Sequence, residues 1–114
     1  MAHRDWFEYL TQIKTQMSEL AEGAPRVMGG FSALAQKATR PGALDSRTKE
    51  LIALAIGIAV RCDGCLAFHA KAAADQGASR QEIIETIGVA IYMGGGPSMI
   101  YGAEALEAFD AFAP

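Results

Sequence analysis

The sequence predicts an all-α protein, a compact bundle of about six helices. Apolar residues recur at steps of three or four through most of the chain, the spacing of one helix face. Glycine, proline and cap-forming residues interrupt that pattern at helix-length intervals. No segment alternates β-branched and polar residues between turns, as a strand would.

The first helix is expected over Arg4 to Ala21, with Trp6, Phe7, Leu10, Ile13, Met17 and Leu20 on its apolar side and Gly23 as its stop. Trp6 reads as the anchor of that helix. A second begins at Ala24-Pro25, where proline suits the first helical position, and extends to about Thr39 before Pro41-Gly42. Gly29-Gly30 in its middle mark either a break or a close helix crossing, since each glycine costs about 1 kcal/mol in a helix relative to alanine.

Asp45 or Ser46 caps a third helix containing KELIALAIGIAV. Its later part is apolar all round, so it must be covered on every side, as a central helix or against a second subunit. Arg61 to Gly64 interrupts the run, with Asp63 placed to accept from the free N–H groups of a new helix. That fourth helix holds Cys65 and His69 and ends near Gly77. Ser79 and Glu82 form a capping box for a fifth, which Gly94-Gly95-Gly96-Pro97 closes. The sixth runs from Pro97 to about Phe109. Tyr92 and Tyr101 flank the glycine-rich turn, as packing or pocket-lining side chains. The GGGP segment lacks the G-x-x-x-x-G-K-[ST] pattern of a phosphate loop.

At 114 residues, positions 1–114 read as a single domain. Half the residues are apolar and 20% are charged, a balance suited to a globule. The net charge of -3 leaves no electrostatic footprint for nucleic acid. The apolar run Leu51 to Val60 is ten residues long, where a membrane helix needs roughly 20. MAHRDWFEYL has no apolar core of a secretory signal, so no membrane association is expected.

The two cysteines, Cys62 and Cys65, stand three positions apart. A bond between them closes too small a loop to constrain the unfolded chain much. The pair therefore reads as redox chemistry in a reducing compartment, the cytoplasm. A cysteine at a helix start gains thiolate character from the free N–H groups and partial positive charge there. Arg61, adjacent in sequence, adds to that field. Cys65 and His69 are four residues apart and share a helix face, so the imidazole can take the thiol proton. A closed zinc site needs four ligands, while Cys62, Cys65 and His69 supply three and His3 is the only other histidine. No metal and no organic cofactor is expected.

Glu50, Cys62, Cys65 and His69 together spell E-x11-C-x2-C-x3-H. This resembles the active-site signature of the AhpD-like alkylhydroperoxidases, which share a fold with the carboxymuconolactone decarboxylases. The segments LDSRTKELIALAIGIAVRCDGCLAFHAKAA and YMGGGPSMIYG resemble that family too, and the likeness spans about Ala24 to Ala108. The resemblance implies an AhpD-like bundle with the C-x-x-C at the start of a central helix. It implies that Cys65 attacks a hydroperoxide, Cys62 resolves the product as a disulfide, and His69 with Glu50 relays protons. It further implies a small hydroperoxide substrate, a dithiol or lipoyl-type protein reductant, and a homo-oligomer, trimer or hexamer. Some peroxidatic members carry histidine immediately before the second cysteine, where this chain has Gly64. The function read from this is a thiol-dependent hydroperoxide reductase or a disulfide oxidoreductase cycling the same two cysteines; the alternatives are a lyase like the lactone decarboxylases, or a non-enzymatic, redox-sensing oligomeric module.

Overall fold

The computed structural model describes residues 4–114, so His3 lies outside the described residues. Six helices follow in order: α1 Trp6–Gly23, α2 Pro25–Thr39, α3 Ser46–Ala59, α4 Asp63–Asp75, α5 Arg80–Gly94 and α6 Gly96–Phe112. Among the described residues there is no strand. No helix of these residues is long and apolar enough to cross a membrane.

The local sequence explains most of the boundaries. Asp5 caps α1 by accepting from the Glu8 N–H, and Asp45, not Ser46, caps α3 by accepting from Thr48. The Ser79–Glu82 capping box forms in both directions at α5. α2 is continuous through Gly29-Gly30, and a Cβ at either glycine would meet nothing within 4 Å. The pair therefore marks neither a break nor a crossing. α6 starts at Gly96 and continues to Phe112, one residue earlier and three later than the sequence implied.

α4 is one of the inner helices, with α3 and α6, and packs against α3, α6 and α1. Its buried face is Leu66, Ala67, Ala70 and Ala73, small enough to bring its neighbours close. Leu54 and Ile58 of α3, Ile83 and Ile87 of α5, and Ala105, Ala108 and Phe109 of α6 complete the core. Gly102 matters to this packing, because a Cβ there would overlap the Ile87 side chain.

α1 is held by its first half. Trp6 is buried, and its Nε1–H donates to Glu107 on α6 at 2.8 Å, as an anchor should. Phe7 meets Phe112 edge-on, with ring centroids 4.9 Å apart. The rest of α1 and all of α2 stand away from the core, and α2 buries no residue at all. The radius of gyration is 14.2 Å. A compact chain of this length gives about 13 Å, and the projecting hairpin accounts for the excess.

α3 is not covered on every side. Leu54, Gly57 and Ile58 are buried, but Ile52, Ile56 and Val60 face outward. Tyr92 is 85% exposed and neither packs nor lines a pocket within the chain, whereas Tyr101 is half-buried against the core.

Candidate active site

A tight turn between α3 and α4 builds the site. Arg61 sits in the left-handed backbone region at φ 59°, a conformation non-glycine residues rarely adopt. Its N–H donates to the Ile58 carbonyl and the Cys62 N–H to that of Gly57, so the chain reverses within Val60, Arg61 and Cys62. Gly57 then lies against Cys65, and Glu50 against His69. One helix recedes as the other advances, so α3 and α4 run antiparallel. Glu50 lies twelve residues before Cys62, about 18 Å along a straight helix. The reversal brings Glu50 back beside His69, one turn beyond Cys65 on α4.

Cys62, not Asp63, is the cap of α4. Its Sγ accepts from the Cys65 N–H at 3.2 Å. Asp63 is the first helical residue, and its carboxylate turns outward to accept from Arg4 Nη2 at 3.0 Å. The aspartate cannot cap because it is already inside the helix and engaged. Cys62 and Cys65 are joined in a disulfide, with Cα atoms 5.2 Å apart. Both residues are half-buried, so the bond lies at the edge of the core.

His69, one turn further along α4, is hydrogen-bonded through Nδ1 to Glu50 Oε1 at 2.8 Å. The Glu50 side chain is 12% exposed and that of His69 31%. A carboxylate only accepts, so the Nδ1–H donates and Nε2 is left with its lone pair. A largely shielded carboxylate thus fixes the ring and its tautomer, leaving the other nitrogen to take a proton.

Gly57 is a site residue that the sequence reading did not single out. A Cβ built on it would stand 2.9 Å from the Cys65 Cβ, closer than two such carbons pack. The only signal in the sequence was a glycine inside an otherwise strong helix, a common mark of close approach. Gly64 is half-buried, and a Cβ there would touch Ile13 of α1 at 3.4 Å. A larger side chain at that position would meet α1. Arg61, expected to supply positive charge, is exposed, and the guanidinium at this corner belongs to Arg4.

An open groove of about 560 Å³ runs between α1 and α2. Met17, Met28 and Phe68 give it an apolar lining, with Lys14, Ser18 and Ser32 at polar positions. Phe68 borders His69 in sequence, but none of Glu50, Cys62, Cys65 and His69 lines the groove.

Residues 25–108 match the model of the carboxymuconolactone decarboxylase family. The chain belongs to that family. A crystal structure of an apo carboxymuconolactone decarboxylase family protein from Legionella pneumophila superposes with a TM-score of 0.92 and 49% identity, covering 96% of this chain and 97% of that one. A family protein from Thermotoga maritima, for which a role in the antioxidative response is suggested, gives a TM-score of 0.80 at 27% identity, over 90% and 87% of the two chains. An uncharacterised protein of Cupriavidus necator is 38% identical over 102 residues, 90% of each chain. One from Haemophilus influenzae is 35% identical over 105 residues, 92% of this chain and 93% of its own. The family, its all-α fold and the paired cysteines agree with the sequence reading.

Proposed function

We propose that this family member is a thiol-dependent oxidoreductase that reduces small organic hydroperoxides by cycling Cys62 and Cys65 between dithiol and disulfide. The observation that carries the reading is the Cys62–Cys65 disulfide at the start of α4, one turn from a histidine oriented by a half-buried glutamate. A lyase has no evident need for two thiols in this arrangement.

In the proposed cycle His69 Nε2 takes the Cys65 thiol proton. The thiolate attacks the outer peroxide oxygen, the O–O bond breaks, and the alkoxide leaves as an alcohol with the proton from His69. Cys65 is then a sulfenic acid. The Cys62 sulfur attacks it, the S–S bond forms, and water leaves with the Cys62 proton. A dithiol or lipoyl-type protein returns two electrons and two protons. Glu50 holds the imidazole and stabilises its charged form. No metal or organic cofactor takes part.

Free thiols are to be counted in reduced protein before and after one equivalent of cumene hydroperoxide. Loss of two thiols per chain within seconds, and no disulfide in Cys65→Ser, is the expected result. Thiols that persist for hours would refute the reading.

We also propose that the chain assembles as a homo-oligomer, a trimer or hexamer. Val27, Phe31 and Leu34 on α2, and Ile52 and Ile56 on α3 with Val60 at its C-cap, form two exposed apolar stripes at helical spacing, the kind of surface that another protein chain covers. Light scattering should give a multiple of the 12.1 kDa chain mass. Phe31→Glu should reduce it, and a monomeric wild type would rule assembly out.

A further inference from the structure

Asp63, between the two cysteines in sequence, is the first residue of α4 and brings a negative charge to the C-x-x-C loop. Alone, that charge opposes the formation of a thiolate beside it. The structure answers it with Arg4, whose Nη2 donates to Asp63 Oδ2 at 3.0 Å. The guanidinium carbon lies 4.2 Å from the Tyr9 ring centre and 5.0 Å from that of Trp6, so two aromatic faces hold it. Nη1 is buried with no hydrogen-bond partner among the described residues. The guanidinium is held by one acceptor and two rings, while 31% of the Arg4 side chain and 38% of the Asp63 side chain remain exposed, so water screens part of its charge. Burial opposes its charge, but the hydrogen bond and charge of Asp63, with Tyr9 and Glu104 nearby, outweigh burial and raise the Arg4 pKa above its ordinary value.

We propose that Arg4 is a positioning residue that sets the dithiol–disulfide equilibrium of Cys62 and Cys65 by holding and neutralising Asp63. The inference rests on the redox reading of the cysteine pair. Among the described residues, the titratable groups that act on Arg4 are Asp63, Tyr9 from α1 and Glu104 from α6, while the Glu50–His69 pair lies further along α4. Among the described residues, Arg4 is the charged group that joins the segment before α1 to the C-x-x-C loop. Without it, the Asp63 charge stands uncompensated one residue from Cys62 and two from Cys65. Their thiolate form is disfavoured, and the equilibrium moves toward the disulfide.

The test equilibrates the full chain with glutathione at pH 7. Protein dithiol and oxidised glutathione give protein disulfide and two glutathione thiols. The Cys62–Cys65 bond forms as the glutathione S–S bond breaks, and the two thiol protons pass to the two glutathione sulfurs. Arg4→Gln should raise the constant for disulfide formation about tenfold, equivalent to a potential about 30 mV lower. It should also move the thiolate absorbance titration of the reduced protein upward in pH. Asp63→Asn leaves Arg4 unopposed and should move both readouts the other way. The double variant should return near the wild type, and Arg4→Lys should fall between wild type and Arg4→Gln.

A merely structural clamp would shift Arg4→Gln and Asp63→Asn in the same direction, and that result overturns the proposal. So does an Arg4→Gln constant within twofold of wild type. Opposite shifts in a protein whose thiols ignore hydroperoxide would uphold Arg4 and refute the peroxidase reading. Rapid peroxide turnover without those shifts would do the reverse.

Discussion

Gly57→Ala tests the contact between α3 and the cysteine helix. The added Cβ would stand 2.9 Å from the Cys65 Cβ, about 0.5 Å inside ordinary contact. Both atoms are fixed to their backbones, so no flexible side-chain end can move aside and α4 must shift as a unit. Overpacking of this kind costs about 1–3 kcal/mol. Replacing a helical glycine by alanine returns about 1 kcal/mol through propensity. Gly30→Ala and Gly88→Ala serve as references, since a Cβ at either meets nothing within 4 Å and both should gain that propensity alone. The expected difference between Gly57→Ala and these references is therefore the packing cost, about 1–3 kcal/mol. Denaturant midpoints at one fixed protein concentration measure it. Because the shift also moves Cys65 and opens the 2.8 Å His69–Glu50 contact, disulfide closure after hydroperoxide should slow in parallel. A Gly57→Ala protein as stabilised as the references, with unchanged closure, would refute the close approach and the positioning argued from it.

Glu50→Gln keeps the shape but no longer fixes the His69 tautomer or stabilises imidazolium. Stopped-flow thiol oxidation should slow about a hundredfold, the scale of general acid–base catalysis. A rate within threefold of wild type would leave Glu50 as a structural partner only. Trp6→Phe retains the buried ring but strands Glu107 without its 2.8 Å donor, and chemical denaturation should show a loss of about 1–2 kcal/mol. The hydrogen bonds from Thr48, chiefly, hold the Asp45 pKa below its ordinary 3.8. The carboxylate is thus favoured in the folded state. The stability it contributes is present above pH 3.8 and is lost as pH falls through the lower folded value. The Tm gap between wild type and Asp45→Asn should therefore be open at pH 7 and narrow in acid, and a gap independent of pH would contradict the cap.

Local chemistry wrote most of this fold into the sequence. Helical periodicity, the Ser79–Glu82 box, Pro25 at the start of α2 and the Gly94–Gly96 break each act within a few residues, so each could be read without the partner it packs against. The spacing of Cys62, Cys65 and His69 is equally local, because α4 alone places the last two on one face. What depended on tertiary structure was every relation between distant residues. Glu50 meets His69 because Arg61 accepts a left-handed turn that folds α4 back along α3. Asp63 could not be told from a cap until Arg4, 59 residues away, was seen to hold it. Gly57 looked like any helical glycine until Cys65 was placed against it. Periodicity specifies which face of a helix is apolar, but not what covers that face. The helices and the cysteine pair thus follow from near neighbours in the chain, whereas the packing of α3 on α4 selects the side chains that meet around them.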